Sequence, residues 1–310
     1  MSFMTLVGQQ AVALALVLTF VFGPAFLAGW FVVRQRRLAR QARRSPLTRD
    51  LLRPPGHKLR EELDELRIDV VTDILALAAM PALMMATLYA AQLSTSKATS
   101  PVVQTIVFIA TALFCARQIR KIVGMGAKLD QLRLGLDAEL AAGQELDQLM
   151  RQGAVVFHDL QAEKFNIDHV VIAMQGVFAV ETKGYRKPND LEGKAGATVR
   201  YDGRSLQFPR WSSTKDLAQA QRQAQWLAEW LHSATGQWTE VTPVLALPGW
   251  FVDRHGRGPV LVLSGLELRA HLLKAQGAKS LGAEQMQRVV HQVEQRCRNV
   301  KPSYRPAEED

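Results

Sequence analysis

Three side chains in the stretch NIDHVVIAMQGVFAVETK (166–183) could do chemistry together: Asp168, Glu181 and Lys183. Two carboxylates can hold a hard, oxygen-seeking cation such as Mg²⁺ or Mn²⁺, and a lysine beside them can hold a phosphate or polarise a water. Whether they meet depends on the backbone that carries them. Val, Ile and Phe fill two apolar arms around Met174-Gln175-Gly176, the pattern of a β-hairpin. A two-residue primed turn at Gln175-Gly176, with glycine supplying a positive φ, sets Asp168 opposite Lys183 and Val170 opposite Glu181. Residues that face each other, or lie two apart on a strand, share a face, so all three side chains emerge on one side of the sheet. The bland alternative is a salt-bridged sheet end. A second acid-x-lysine triplet, Glu192-Gly193-Lys194, follows Pro188-Asn189-Asp190 with no apolar run before it and reads as a solvated turn.

At these residues the sequence also resembles a known family. Asp168, then Glu181-Thr182-Lys183, looks like the split acid and E-x-K of the restriction-endonuclease-like nucleases. IDHVV followed by GVFAVETKGY is similar to the core of the nuclease-related domain (NERD) family, and the resemblance covers about residues 135 to 250. It implies that Asp168 and Glu181 are metal ligands for Mg²⁺ or Mn²⁺ and that Lys183 is catalytic. Gly135-Leu136-Asp137-Ala138-Glu139 is similar to the start of the family's first helix, which makes Glu139 a further residue reaching the metal. Gln219 matches a glutamine that follows the E-x-K strands on a packing helix. For Glu139 a solvated helix surface, and for Gln219 an ordinary helix-forming glutamine, remain open. The implied activity is hydrolysis of phosphodiester bonds, without sequence specificity because no base-reading motif is visible. DNA is placed ahead of RNA as the partner, although no residue separates them. A membrane-tethered nucleic-acid or protein binding module, with the fold but without turnover, is the alternative.

The elements around the hairpin must position these side chains. A helix from about Met125 to Met150 carries leucines at 129, 132, 136, 140 and 146 on one stripe. AVVFHDL (154–160) reads as a first strand; its His158, like His169 in the hairpin, lacks the spacing of a zinc site, and His169 points away from Asp168. Between Lys183 and Lys215 eight basic residues outnumber three acids and alternate with Tyr185, Tyr201, Phe208 and Trp211. That stretch could follow a phosphate backbone and stack a base, or be a solvated loop. Ser213-Thr214-Lys215-Asp216 reads as a capping box opening a helix that ends at Gly236. Residues 242–252 and 258–265 supply two strands, the second running into a capping box at Ser264-x-x-Glu267. Helices to about Lys274 and from Glu284 to Arg298 follow, then a charged tail, 303–310, read as disordered. The expected fold is an α/β three-layer sandwich with a mixed central sheet over residues 128–302.

Ahead of it lies a membrane region, residues 1–127. The net charge of +9 belongs there: 15 Lys+Arg stand against 7 Asp+Glu in 1–127, and 23 against 22 in 128–310. Residues 11–33 are uncharged and long enough to cross a hydrocarbon core of about 30 Å. Nothing before Arg34 is basic, which reads as an anchor, not a cleaved leader. Arg34, Arg36, Arg37, Arg40, Arg43 and Arg44 follow and hold the connector 34–73 in the cytoplasm, with the N-terminus outside. Runs at 74–93 and 102–116 complete three transmembrane helices of an inner-membrane protein, their linking loop outside and the C-terminal domain inside; a buried soluble hairpin is the alternative. The bilayer is thus a partner, and the oligomeric state is left open. Cys115 and Cys297 have no partner at disulfide or zinc spacing, which suits a reducing cytoplasm.

Overall fold

In the computed structural model the described residues are 12, 19, 23, 24, 26–38, 47–95, 100–274 and 279–302. Eleven of the 23 residues of the apolar run at 11–33, and the tail at 303–310, lie outside them. Residues 26–38 are helical (α1). Two further helices, α2 (His57–Thr95) and α3 (Pro101–Asp147), are long and apolar enough to cross a membrane. Among the described residues there are thus two candidate spans, not three. Both helices are longer than the runs that announced them. HKLREELDELRIDVVTD holds helix formers and no Pro or Gly, so the expected connector joins the following run in one helix. Likewise Gly124 and Gly126, at about 1 kcal/mol each, do not separate the run at 102–116 from the helix expected at Met125.

The chain divides into two compact units. The first contains Asp64–Leu129 and the described N-terminal residues. Within it Lys121 pairs with Asp73 at 2.8 Å, Gln118 donates to the same carboxylate at 3.2 Å, and Thr111 Oγ1 approaches Met84 Sδ at 3.0 Å. Ile74, Leu75, Met85, Ile106, Phe108 and Leu113 are exposed, as on a helix pair whose apolar faces want a non-aqueous neighbour.

The second unit, Arg49–Leu63 with Asp130–Pro302, is mixed α/β. After a two-residue strand β1 (Leu51–Leu52), its main sheet is built from β2 (Val155–Gln161), β3 (Asn166–Ala173) and β4 (Gly176–Thr182). A smaller sheet follows from β5 (Thr198–Tyr201), β6 (Leu206–Gln207) and β7 (Ser212–Ser213), then the helix α4 (Lys215–Thr235). Strands β8 (Val241–Leu247), β9 (Phe251–Arg254) and β10 (Leu261–Ser264) come next. Helices α5 (Gly265–His271) and α6 (Ala283–Cys297) and strand β11 (Arg298–Val300) complete the unit. The main sheet has the order β10-β8-β4-β3-β2, parallel from β10 to β4 and antiparallel from β4 to β2. The second sheet has the order β7-β6-β5-β9. Val170, Ile172, Val177 and Ala179 pack with α4 and α6, while Val171, Ala173, Phe178 and Val180 pack with α3 and α5.

Several expectations change. The small sheet occupies the stretch read as a basic loop, and 242–252 is not one strand: Pro248-Gly249, with Gly249 at φ 80°, turns the chain out of the main sheet into β9. No capping box forms at Ser213; Thr214 precedes α4, and Asp216 instead accepts hydrogen bonds from Ser213 Oγ (2.6 Å) and Tyr185 Oη (2.8 Å). The box at Ser264 and Glu267 is formed.

The segment Arg49–Leu63 is tied to the far end of the unit. β1 pairs with β11, Arg53 N–H donates to the Cys297 carbonyl at 3.1 Å, and the Arg53 guanidinium reaches Asn299 Oδ1 (2.7 Å) and Asp159 Oδ2 (3.1 Å). Asp159 is fully buried. Arg53→Ala leaves that carboxylate without its cation and lowers stability by about 3 kcal/mol, read as a drop in Tm of the full chain in detergent.

Candidate functional site

The central hairpin forms, one residue earlier than the sequence suggested. Met174 and Gln175 make the turn and Ala173 pairs with Gly176, so Val170 lies opposite Ala179, not Glu181. The reason is visible in the backbone. Neither Met174 nor Gln175 has a positive φ, and the glycine takes φ 149° as the first residue of β4 instead of sitting inside the turn. Continued along the strands, this register brings Asp168 opposite Glu181 instead of Lys183. Alternation alone does not settle the Asp168 side chain. Ile167 and Val170, three residues apart, join the same cluster, as do Phe157 and Leu160 on β2, so both strands change phase between them. Asp159, at φ 52°, lies at that break.

Asp168 is fixed by a different contact: its Oδ2 accepts the Thr182 N–H at 2.7 Å, which ties it to the backbone beside Glu181. Glu181 lies on the face of Val177 and Ala179, under α4. Its Oε1 accepts from Lys183 Nζ (2.5 Å) and Gln219 Nε2 (2.6 Å), and its Oε2 accepts from Gln223 Nε2 (2.5 Å). Gln219 and Gln223, one turn apart on α4, thus grip the two oxygens of one carboxylate. Gln223 also donates to the Asn166 carbonyl, which joins α4 to the start of β3.

Glu139 comes from α3, and Gly184 brings that helix close. A Cβ at Gly184 would meet the Leu134 carbonyl oxygen at 2.7 Å and Ala138 Cβ at 2.9 Å, so only glycine lets the chain after Lys183 run against the turn that precedes Glu139. Glu139, Asp168 and Glu181 are all buried, at 7%, 6% and 3% exposure. Glu139 and Asp168 resist ionisation there. Burial, then the charges of Asp159 and Glu181, pushes the Glu139 carboxyl up to about 8, against the pull of Lys183 and the Gly56 N–H. Burial, then Glu181 and Glu139, holds Asp168 well above the usual carboxylate range, against the Thr182 hydrogen bond. For Lys183, burial favours the neutral amine, but the charge and hydrogen bond of Glu181, with Asp168 and Asp216, outweigh it and raise the pKa.

The five residues singled out in the sequence, Glu139, Asp168, Glu181, Lys183 and Gln219, therefore converge on one buried cluster. Among the described residues, however, no group of three or more His, Cys, Asp or Glu side chains stands ready to hold a metal ion. The chemistry of the donor set still suits a hard cation: carboxylate oxygens repel one another, and Gln223 Oε1 and Thr182 Oγ1 are buried beside them without a hydrogen-bond partner.

Gln223 lies one turn from Gln219 in the sequence, and the structure gives it an equal hold on Glu181. Asp159 is the residue that sequence reasoning missed. It gives only a weak signal, an acid inside the apolar run AVVFHDL. The histidines pair with each other instead of joining the acids: Nδ1 of His158 and His169 are 2.9 Å apart, and His158 Nε2 faces Asp147 Oδ1 at 3.1 Å. The aromatic residues of 185–211 are not splayed for base stacking. Tyr201 and Phe208 are buried, and Trp211, 37% exposed, stacks on Phe208 at 3.8 Å. Some of the basic residues there are also engaged, Arg210 with Asp190 and Lys187 over the Trp250 ring.

No curated protein and no solved structure matches the chain. A family model does, over the segment that holds α3's acid, the hairpin and α4: residues 134–248 match the nuclease-related domain (NERD) family.

Proposed function

We propose that the chain is a membrane-anchored, metal-dependent nuclease that hydrolyses phosphodiester bonds of nucleic acid without sequence specificity, DNA before RNA. One observation carries this reading: three buried carboxylates, two of them with raised pKa values, surround a single lysine within a nuclease-related domain. Perturbed acids gathered at one end of a sheet are what a site for charged chemistry requires. Asp168 and Glu181, with Glu139 beside them, would hold Mg²⁺ or Mn²⁺. Such an ion neutralises a phosphate and lowers the pKa of an attacking water.

The protein's own residues supply the rest. Gln219 and Gln223 fix the rotamer of Glu181, and Thr182 N–H fixes Asp168. The side chain of Lys183, held at Glu181 and about a quarter exposed, is placed to orient the water or to stabilise charge developing on the phosphate. Clusters packed against both faces of the main sheet support the restriction-endonuclease-like, three-layer arrangement. The test is cleavage of single- and double-stranded DNA and RNA by the full chain in detergent with Mg²⁺, Mn²⁺ or EDTA.

A second reading, a binding module without turnover, draws on the engagement of both Glu181 oxygens by Lys183 and the two glutamines. It predicts nucleic-acid binding and no cleavage under every metal.

For the membrane, we propose that α2 and α3 cross the inner membrane with the segment between them outside and the nuclease-related domain in the cytoplasm, held by the arginines at 34–44. A reporter active only in the periplasm gives signal when fused at residue 96 and none at the C-terminus. Signal at the C-terminus reverses the orientation.

A further inference from the structure

The segment Arg49–Leu63 precedes the family-matched residues by about seventy positions, yet it belongs to the same compact unit and meets the acid cluster. Four contacts carry it there. Pro55 lies against Gly143 of α3, where an added Cβ would stand 3.0 Å from Pro55 Cβ. Leu59 packs in the same way against Gly135, at 3.3 Å. Lys58 N–H, at the start of α2, donates to Asp159 Oδ2 at 2.8 Å, the oxygen that also receives Arg53. Asn166 completes the clamp by donating to Asp159 Oδ1 at 2.6 Å.

Between these anchors stands Gly56, directly beside the Glu139 carboxylate. The position demands glycine twice over. Its φ is 68°, where a side chain is strained, and a Cβ there would run into Leu136 Cδ1 and stand 3.6 Å from Glu139 Oε2. A side chain at residue 56 therefore pushes on the helix turn that carries Glu139.

We propose that Arg49–Leu63 is a working part of the acid site, with Gly56 as a positioning residue that sets the direction of the Glu139 carboxylate. This rests on the nuclease reading given above. Glu139 is the acid that reaches the other two from a helix and not from the hairpin. The segment packed beside it is the one that enters α2, so a fragment that begins near the start of the family-matched residues lacks that neighbour and leaves Glu139 unaimed.

The test uses the full chain in detergent and the variant Gly56→Ala, with Gly56→Asn beside it because asparagine tolerates a left-handed φ better while still carrying a Cβ. If either variant folds with a wild-type circular dichroism spectrum, the expected result is a fall in kcat of at least about tenfold with an unchanged KM for DNA, and a higher Mn²⁺ concentration for half-maximal rate. Unchanged kcat and Mn²⁺ dependence in a folded variant overturn the proposal. A double-mutant cycle on Tm, combining each Gly56 variant with Glu139→Gln, reads the same contact without turnover. Non-additivity supports the contact even if the wild-type chain cuts nothing, in which case only the nuclease reading falls. Additivity in a chain that cuts nucleic acid removes the positioning role and leaves the nuclease reading standing.

Discussion

If the chain is the proposed nuclease, Lys183→Ala is expected to lower cleavage by roughly 10²–10³-fold while Mn²⁺ binds at least as tightly as to the wild type. The first half follows from where the ammonium group acts: one preorganised donor aimed at charge that appears in the transition state is typically worth ~3–4 kcal/mol. The second half follows from the cluster's own electrostatics. Lys183 Nζ occupies Glu181 Oε1 at 2.5 Å, so it competes with any other cation for that oxygen, and its removal frees the site. Gln219 and Gln223 still hold the carboxylate in place. Single-turnover cleavage and Mn²⁺ titration of the same preparations separate the two effects. Equal losses of binding and rate would make Lys183 a structural partner of Glu181. Glu192→Ala and Lys194→Ala, in the solvated triplet, change neither quantity.

Asp168→Asn has the opposite signature: metal affinity falls first, by more than about 10²-fold, because loss of outer partners alone costs 10–100-fold. In EDTA the same substitution stabilises the fold above neutral pH. The sign is fixed by proton counting. Glu139, with a folded pKa of about 8 against an ordinary 4.5, and Asp168, also raised, bind protons in the folded chain that the unfolded chain releases. Stability is therefore full below about pH 4 and is lost as pH rises toward 8, with a slope of about 1.4 kcal/mol per pH unit for each such proton. The asparagine amide keeps an acceptor for the Thr182 N–H and removes one charge from the repelling set, so Tm of the variant depends less on pH. Saturating Mg²⁺ offsets the alkaline loss in the wild type, by about 2.7 kcal/mol at a hundred times Kd, and not in the variant.

The hairpin was legible because its apolar arms are long and its single Gly lies between them. The sequence points to a turn one residue late because a glycine favours the turn itself, whereas Gly176 carries its positive φ just after it. The error moved the pairing by two, which preserves parity, and so Asp168 still meets Glu181's strand. Asp168's contact with Thr182 was beyond the reach of alternation, since both β2 and β3 change phase near Asp159. Gln219 was legible through resemblance, and the equal role of Gln223 needed only the helix period. The small sheet was hidden because β6 and β7 are two residues long, too short for any periodicity. Most remote from the sequence was the segment Arg49–Leu63. Its tie to the nuclease-related domain depends on Arg53 and Asp159, 106 positions apart, and on a glycine whose need for φ 68° appears only once Leu136 and Glu139 are beside it.

The central claim is that Glu139, Asp168 and Glu181 form a site for a divalent ion that Lys183 serves. The most direct measurement is the number of Mn²⁺ ions bound at equilibrium to the purified full chain, counted by loss of the free-ion electron paramagnetic resonance signal, in the wild type and in Glu181→Gln. The expected result is one or two ions bound to the wild type and none to Glu181→Gln, with Glu192→Ala binding as the wild type does. A wild-type chain that leaves the free Mn²⁺ signal at full strength, or a Glu181→Gln chain that binds the same number, would contradict it.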